Sequence, residues 1–217
     1  MQKNFRYLDD LIHSGVKRIV LDADIVLDDD EEDEYYEGID IDVERLVIDG
    51  AGHTVDARGK VRIFHVSAIN VKINNITLKN GNFLNGGAIF NAFQLKAFDC
   101  NFSNNHSSFE GGAIFNGGKF HGEYCSFTSN MSLLQGGAVY NCAVLHICNS
   151  VFKSNVSREI GGAIFSEKEE IRLSSPPYRS MVEICNVCCI NCEFEDNEPD
   201  DIFEVSDDEK PEKKDSP

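Results

Sequence analysis

Apolar positions follow a helical period at one place only. Residues 4–14, NFRYLDDLIHS, carry apolar side chains at helical spacing and stop beside Gly15, which predicts one short amphipathic helix. Elsewhere the chain alternates apolar and polar residues in short runs, such as VKINNITL, AVLHICNSVF and ICNVCCINCEF, each bounded by glycine or asparagine. That alternation predicts short strands separated by tight turns.

The strands recur with a fixed period. GGAIFN begins at Gly86 and again at Gly111, GGAVYN at Gly136 and GGAIFS at Gly161, each start 25 residues after the last. A second signature, Phe-x-x-Asn, keeps phase with it: Phe102–Asn105, Phe127–Asn130, Phe152–Asn155 and Phe194–Asn197. The last copy comes 42 residues after the third, so one unit carries 17 extra residues, placed near 167–181, where Pro176-Pro177 and the charges read as an exposed loop. Aligned units show apolar columns at Leu95, Phe120, Leu145 and Val187, and small buriable residues at Cys100, Cys125, Ser150 and Cys192. Val71, Ile76 and Leu78 fit the same frame one unit earlier.

One such unit cannot bury its own apolar face, whereas stacked units bury a continuous column. The expected fold is all-β: a parallel β-solenoid of about five or six coils over residues 46–197. Residues 1–45 are expected to form a small helix and strand cap with an acidic loop, and residues 198–217 a disordered acidic tail. A leucine-rich repeat shares the period. It would need a helical segment where each unit has Gly86-Gly87, Gly111-Gly112, Gly136-Gly137 or Gly161-Gly162, and glycine weakens a helix by about 1 kcal/mol relative to alanine. These glycines are read as corner residues, and Asn105, Asn130, Asn155 and Asn197 as turn asparagines whose amides satisfy backbone groups from coil to coil.

Charge narrows the function. The 217 residues hold 37 acids and 20 bases, a net charge of −17. Residues 28–42 and 193–217 account for all of it, leaving a near-neutral body. A nucleic-acid partner would require a basic face, and none is visible. No apolar run approaches the ~20 residues of a membrane helix, and the N-terminus lacks a secretory apolar segment.

The GGA[IV][FY] and Phe-x-x-Asn units resemble the repeat of the chlamydial polymorphic outer-membrane proteins. VIDGAGHTVDARGKVRIF with NITLKNG is similar to the lead-in of adhesin-like surface proteins of methanogenic archaea. The resemblance covers about residues 17–197 and implies a right-handed, single-stranded parallel β-helix acting at a cell surface, with a glycan or surface protein as partner. A cytoplasmic scaffold is the alternative, because the chain shows no signal peptide.

Candidate chemistry is sparse. Cys185, Cys188, Cys189 and Cys192 have the spacing of a four-thiolate metal site, but strand alternation sends them to opposite faces, and a filler role for the cysteines is expected. The run Asp28–Glu34 lacks the glycine punctuation of a calcium loop and is expected to be solvated. Asn75, Asn101, Asn105, Asn130 and Asn155 are glycosylation sequons, three of them because the Phe-x-x-Asn asparagine precedes a residue and a serine. Asp49, Asp56 and His53 read as turn residues. Without a same-column pair of aspartates for glycoside hydrolysis, no enzymatic activity, cofactor or metal is expected.

Overall fold

The computed structural model describes residues 3–167, 171–174 and 187–204. Within them the chain winds as a parallel β-solenoid of about six turns, and four parallel sheets of eight, seven, seven and four strands form its walls. A leucine-rich repeat is excluded, because the Gly-Gly half of each unit leads into a strand, as at Ile89–Asn91, Ile114–Asn116 and Val139–Asn141. Seven stacked strands at ~4.8 Å spacing make a rod of ~29 Å.

Each full coil visits the sheets in a fixed order. Gln94–Phe98 lies in the first sheet, Asn101–Ser103 in the second, His106–Ser107 in the small fourth, and Ile114–Asn116 in the third. Equal positions in successive units pair: Leu95 with Phe120, Phe120 with Leu145, Phe102 with Phe127, Ile114 with Val139. The Phe-x-x-Asn rings point into the core and stack almost flat. Phe102–Phe127 centroids are 4.8 Å apart at 6°, Phe127–Phe152 4.5 Å at 2°, and Phe152–Phe194 5.1 Å at 10°. The strand spacing sets these distances, so the ladder follows from the register.

The Gly-Gly corner divides its work between two residues. Gly86, Gly111, Gly136 and Gly161 have φ of +65° to +70°. The second glycine has no room: a Cβ on Gly112 would stand 2.1 Å from the Gly137 carbonyl oxygen.

The stack reaches beyond 46–197 at both ends. Arg18–Val20 pairs with Val47–Asp49, Ile25–Val26 with Thr54–Asp56, and Ile39–Ile41 with Phe64–Val66. Residues 18–41 are therefore a first coil, recognisable by its apolar columns although it has no Gly-Gly pair. At the other end Ile202–Glu204 pairs with Ile164–Ser166, and Asp200 accepts hydrogen bonds from the Gly161 and Gly162 amides at 2.6 and 3.1 Å. Part of the expected 167–181 loop is a strand, since Ile171–Ser174 pairs with Val187–Ile190 at the end of the first sheet. The rest of that insertion, and the tail from 205, lie outside the described residues.

The cap is helix α1 (Phe5–Ile12). The Asn4 side chain caps it by accepting from the Tyr7 amide. Phe5, Leu8 and Ile12 fall on one face and are fully buried over the open end of the first coil. The acidic run was expected to be a solvated, self-repelling loop; the structure corrects this, because Glu31 is fully buried. Its carboxylate accepts from the Phe5, Arg6 and Asp28 amides at 3.2, 2.9 and 2.9 Å. The orphan N–H groups of the helix start and their dipole favour an anion there. Around Glu31, Arg6 pairs with Glu34, Arg58 with Asp29 and Lys60 with Glu32. Glu31→Ala is expected to reduce unfolding free energy by about 2–4 kcal/mol, because three amides lose a charged acceptor. Urea denaturation checks this, and a loss below ~0.5 kcal/mol would mean the acidic run does not hold the cap.

Candidate functional site

A two-residue corner joins the first sheet to the second in the five coils from Asn75 onward. Its first residue takes the left-handed conformation: Asn75, Asp99, Tyr124, Asn149 and Asn191 have φ between +46° and +54°. The second turns inward, giving the column Cys100, Cys125, Ser150 and Cys192. Asparagine and aspartate tolerate left-handed φ, since a short polar side chain can bond locally. Tyrosine does not share that advantage, and its conformation costs about 1–2 kcal/mol. Tyr124 nevertheless occupies the column and stays 53% exposed.

Along this corner runs an open groove of about 430 Å³. Its walls include Asn75, Asp99, Asn101, Tyr124, Ser126 and Asn149, spread over successive coils, and Gly52 and Val151 mark its ends along the chain. Four strand steps separate those ends, or ~19 Å. Ser126 donates to Asn101 Oδ1 at 2.9 Å. Tyr124 meets Phe98, itself 47% exposed, edge to face with centroids 5.4 Å apart. The floor holds Cys100 and Cys125. The neighbouring Cys125 thiol, together with burial, pushes Cys100 far above the ordinary thiol range and keeps that thiol neutral. Asp99 is the one charged side chain among the lining residues. Chemically the groove offers amides, hydroxyls and an aromatic edge, with no acid–base pair.

A smaller groove of about 300 Å³ lies between the second and fourth sheets, around Asp56, Arg58, Asn82 and His106. Its charged groups engage one another. Arg58 pairs with Asp29 at 2.6 Å, Asp56 pairs with Lys79 at 3.2 Å and accepts from Asn80, and His106 meets Asn82 at 3.1 Å. Burial lowers the His106 pKa, keeping the ring neutral near pH 7.

The repeat residues singled out in the sequence line the interior. Asn105, Asn130, Asn155 and Asn197 form one ladder: the last three each accept from the asparagine of the coil before, Asn105 accepts from the Gly81 amide, and each donates to a core carbonyl. Their Nδ2 atoms are committed to Leu78, Phe102, Phe127 and Phe152 carbonyls. Asn105, Asn130 and Asn155 are at most 1% exposed, so these sequons present no acceptor nitrogen in the folded chain. Asn91, Asn116 and Asn141 make a second buried ladder ending on Ser166. Cys189 lies among the buried core residues and Cys192 packs against them, whereas Cys188, also buried, pairs in register with His146 on the opposite side of the strand, so these three described thiols do not converge. Cys185 lies outside the described residues. Asp49 pairs with Arg18 and caps the Ala51 amide, and His53 meets Asp24, consistent with turn roles.

Outside the core, Phe90, Phe115, Tyr140 and Phe165 make a second ring stack on the third sheet, with centroids 4.9–5.1 Å apart. Arg62 closes its lower end over Phe83 and Phe90. Burial lowers the Arg62 pKa to about 10, and the guanidinium is held by the Glu37, Asn85 and Gly86 carbonyls. Tyr124 of the groove and its neighbour Phe98 carry no motif. The available signal was the column three residues before each Phe of Phe-x-x-Asn, where one tyrosine interrupts asparagine and aspartate.

A short all-β solenoid, with a mostly uncharged groove along one corner, belongs to the class of parallel β-helix modules. Residues 6–110 match the model of a family described as "Putative pectate lyase-like adhesive domain". No curated protein and no solved structure gives a significant match. The matched segment covers the cap and the first coils and reaches only the first GGAIFN copy. The fold is that of a parallel β-helix module, and a little under half of the chain is similar to the adhesive domain that this family model describes. Among the described residues no helix is long and apolar enough to cross a membrane.

Proposed function

We propose that the chain is a non-catalytic adhesive module that holds a neutral glycan along the groove between the first and second sheets. The observation that carries this reading is Tyr124: an exposed ring in a backbone conformation that disfavours it, beside Phe98 and a row of amides and hydroxyls. Sugars present apolar faces that rest on rings and hydroxyls that bond to Asn75, Asn101, Ser126 and Asn149. Asp99, without a basic partner in the lining, disfavours polyuronates, and a single carboxylate cannot act as the acid–base pair of hydrolysis. The resemblance of the repeats to those of polymorphic outer-membrane proteins supports a place at a cell surface.

Tyr124→Asn separates binding from folding. The variant restores a residue suited to left-handed φ, so its unfolding free energy is expected to hold or rise by about 1 kcal/mol. Retention on the best ligand of a neutral-glycan array is expected to fall at least tenfold. Unchanged retention by Tyr124→Asn and Phe98→Ala would remove the groove from the reading, and a blank array would remove glycan binding itself.

A further inference from the structure

The outer face of the first sheet gathers bases that lie far apart in the chain. Lys72 and Asn74 point outward from one strand, Gln94, Lys96 and Phe98 from the next, and Lys119, His121 and Glu123 from the one after. In register, one column runs Val47, Lys72, Lys96, His121 and His146, and the column beside it runs Gln94, Lys119 and Val144. Neither column holds a carboxylate. Lys72 and Lys96 stand directly opposite each other across a strand pair, ~4.8 Å apart at the backbone, and Lys119 lies diagonally from Lys96. We propose that Lys72, Lys96 and Lys119 form a docking face for a sulfated polysaccharide, beside the groove and independent of it.

Uncompensated charge carries the proposal. All three lysines are exposed, and among the described residues no group engages their ammonium ends. Like charges directly opposite destabilise a sheet. Elsewhere bases are balanced, as Lys60 is by Glu32 at 3.4 Å, Lys79 by Asp56 at 3.2 Å and Lys153 by Glu195 at 2.9 Å. The acids of the first sheet stand one column further on, at Asp49 and Glu123, and Asp49 is already bridged to Arg18 at 3.1 Å. A chain of net charge −17 thus holds three free cations together on one flat wall, and their complement is a polyanion.

The residue type narrows the partner. Carboxylates are best gripped by the two-pronged guanidinium of arginine, whereas lysine offers a point charge without a fork. Sulfate esters stay ionised and ask only for ammonium groups at a matching spacing. Phe98 is 47% exposed on the same face, one position along from Lys96, so a sugar ring has an apolar support next to the charges. A single ring is no platform for successive bases, which disfavours single-stranded nucleic acid.

The test is retention of the full-length chain on immobilised dextran sulfate, with unsulfated dextran as the control. Retention on dextran sulfate alone is expected, falling as added NaCl screens the charges. Lys72→Gln and Lys96→Gln should each weaken it at least threefold, and the triple variant with Lys119→Gln at least tenfold, while the melting temperature holds or rises because repulsion is relieved. Lys60→Gln and Lys79→Gln, on other faces, should leave retention unchanged, and so should Tyr124→Asn, which separates this face from the groove. Equal retention on both dextrans, retention that survives the triple variant, or an equal loss in Lys60→Gln would overturn the proposal. Equal or stronger retention on polygalacturonate or single-stranded DNA would overturn the assignment to sulfate.

Discussion

Gly112→Ala is expected to leave most of the chain unfolded, while Gly117→Ala, five residues away, leaves it folded. The added methyl at Gly112 would stand 2.1 Å from the Gly137 oxygen and 2.6 Å from both the Met131 nitrogen and oxygen. All three atoms are backbone, and two strands would have to separate to admit it. The Gly112 amide donates to the Gly136 carbonyl of the next coil at 3.1 Å, so separation also breaks the corner ladder. Substitutions that force such changes exceed about 4–5 kcal/mol, against a typical domain stability of about 5–15 kcal/mol. At Gly117 the nearest atom would be 3.6 Å away, an ordinary contact. Soluble yield and urea midpoints of the two variants read the difference directly. Equal midpoints would mean that the coils do not approach as closely as the structure shows.

Asn130→Ala is the second large effect, through hydrogen bonds instead of sterics. Asn130 Oδ1 accepts from both the amide and the side chain of Asn105, at 3.1 and 3.0 Å. Its Nδ2 donates to the Phe102 carbonyl at 3.0 Å and to Asn155 Oδ1 at 2.9 Å. Truncation strands two donors and one carbonyl in a site with no exposure, at about 1–3 kcal/mol each. A loss of about 4–6 kcal/mol is expected. Asn197→Ala, at the partly exposed end of the same ladder, should cost about half as much, because water reaches the groups it abandons. Chemical denaturation of both variants tests the ranking. A reversed order would mean that the ladder is not satisfied internally.

The fold was legible because the 25-residue period is written in glycine and asparagine, residues whose roles depend little on their surroundings. Leu95, Phe120 and Leu145 stack as the period requires. The first coil was hidden because its corner carries a long acidic loop instead of Gly-Gly, so the columns at Ile19, Ile25 and Ile39 had no marker. Glu31 was hidden for a different reason: seven consecutive acids look alike, and only the helix start distinguishes one of them. The candidate groove depends on which side of a corner a residue faces. Tyr124 and Phe98 lie on the surface that the motif leaves unspecified. His146 and Cys188 are 42 residues apart in the chain and become neighbours only through the strand register.

The asparagine ladder has a consequence for heredity. Asn105 and Asn130 each meet a copy of themselves 25 residues on, and so present the same donors and acceptors to their neighbours. A crossover between misaligned copies of the 25-codon unit would add or delete one whole turn, and the new junction would join an asparagine to an asparagine and a phenylalanine to a phenylalanine. Such a gene can change the length of its product in a single recombination event without creating an unmatched seam, and the rod grows or shrinks by the thickness of one strand.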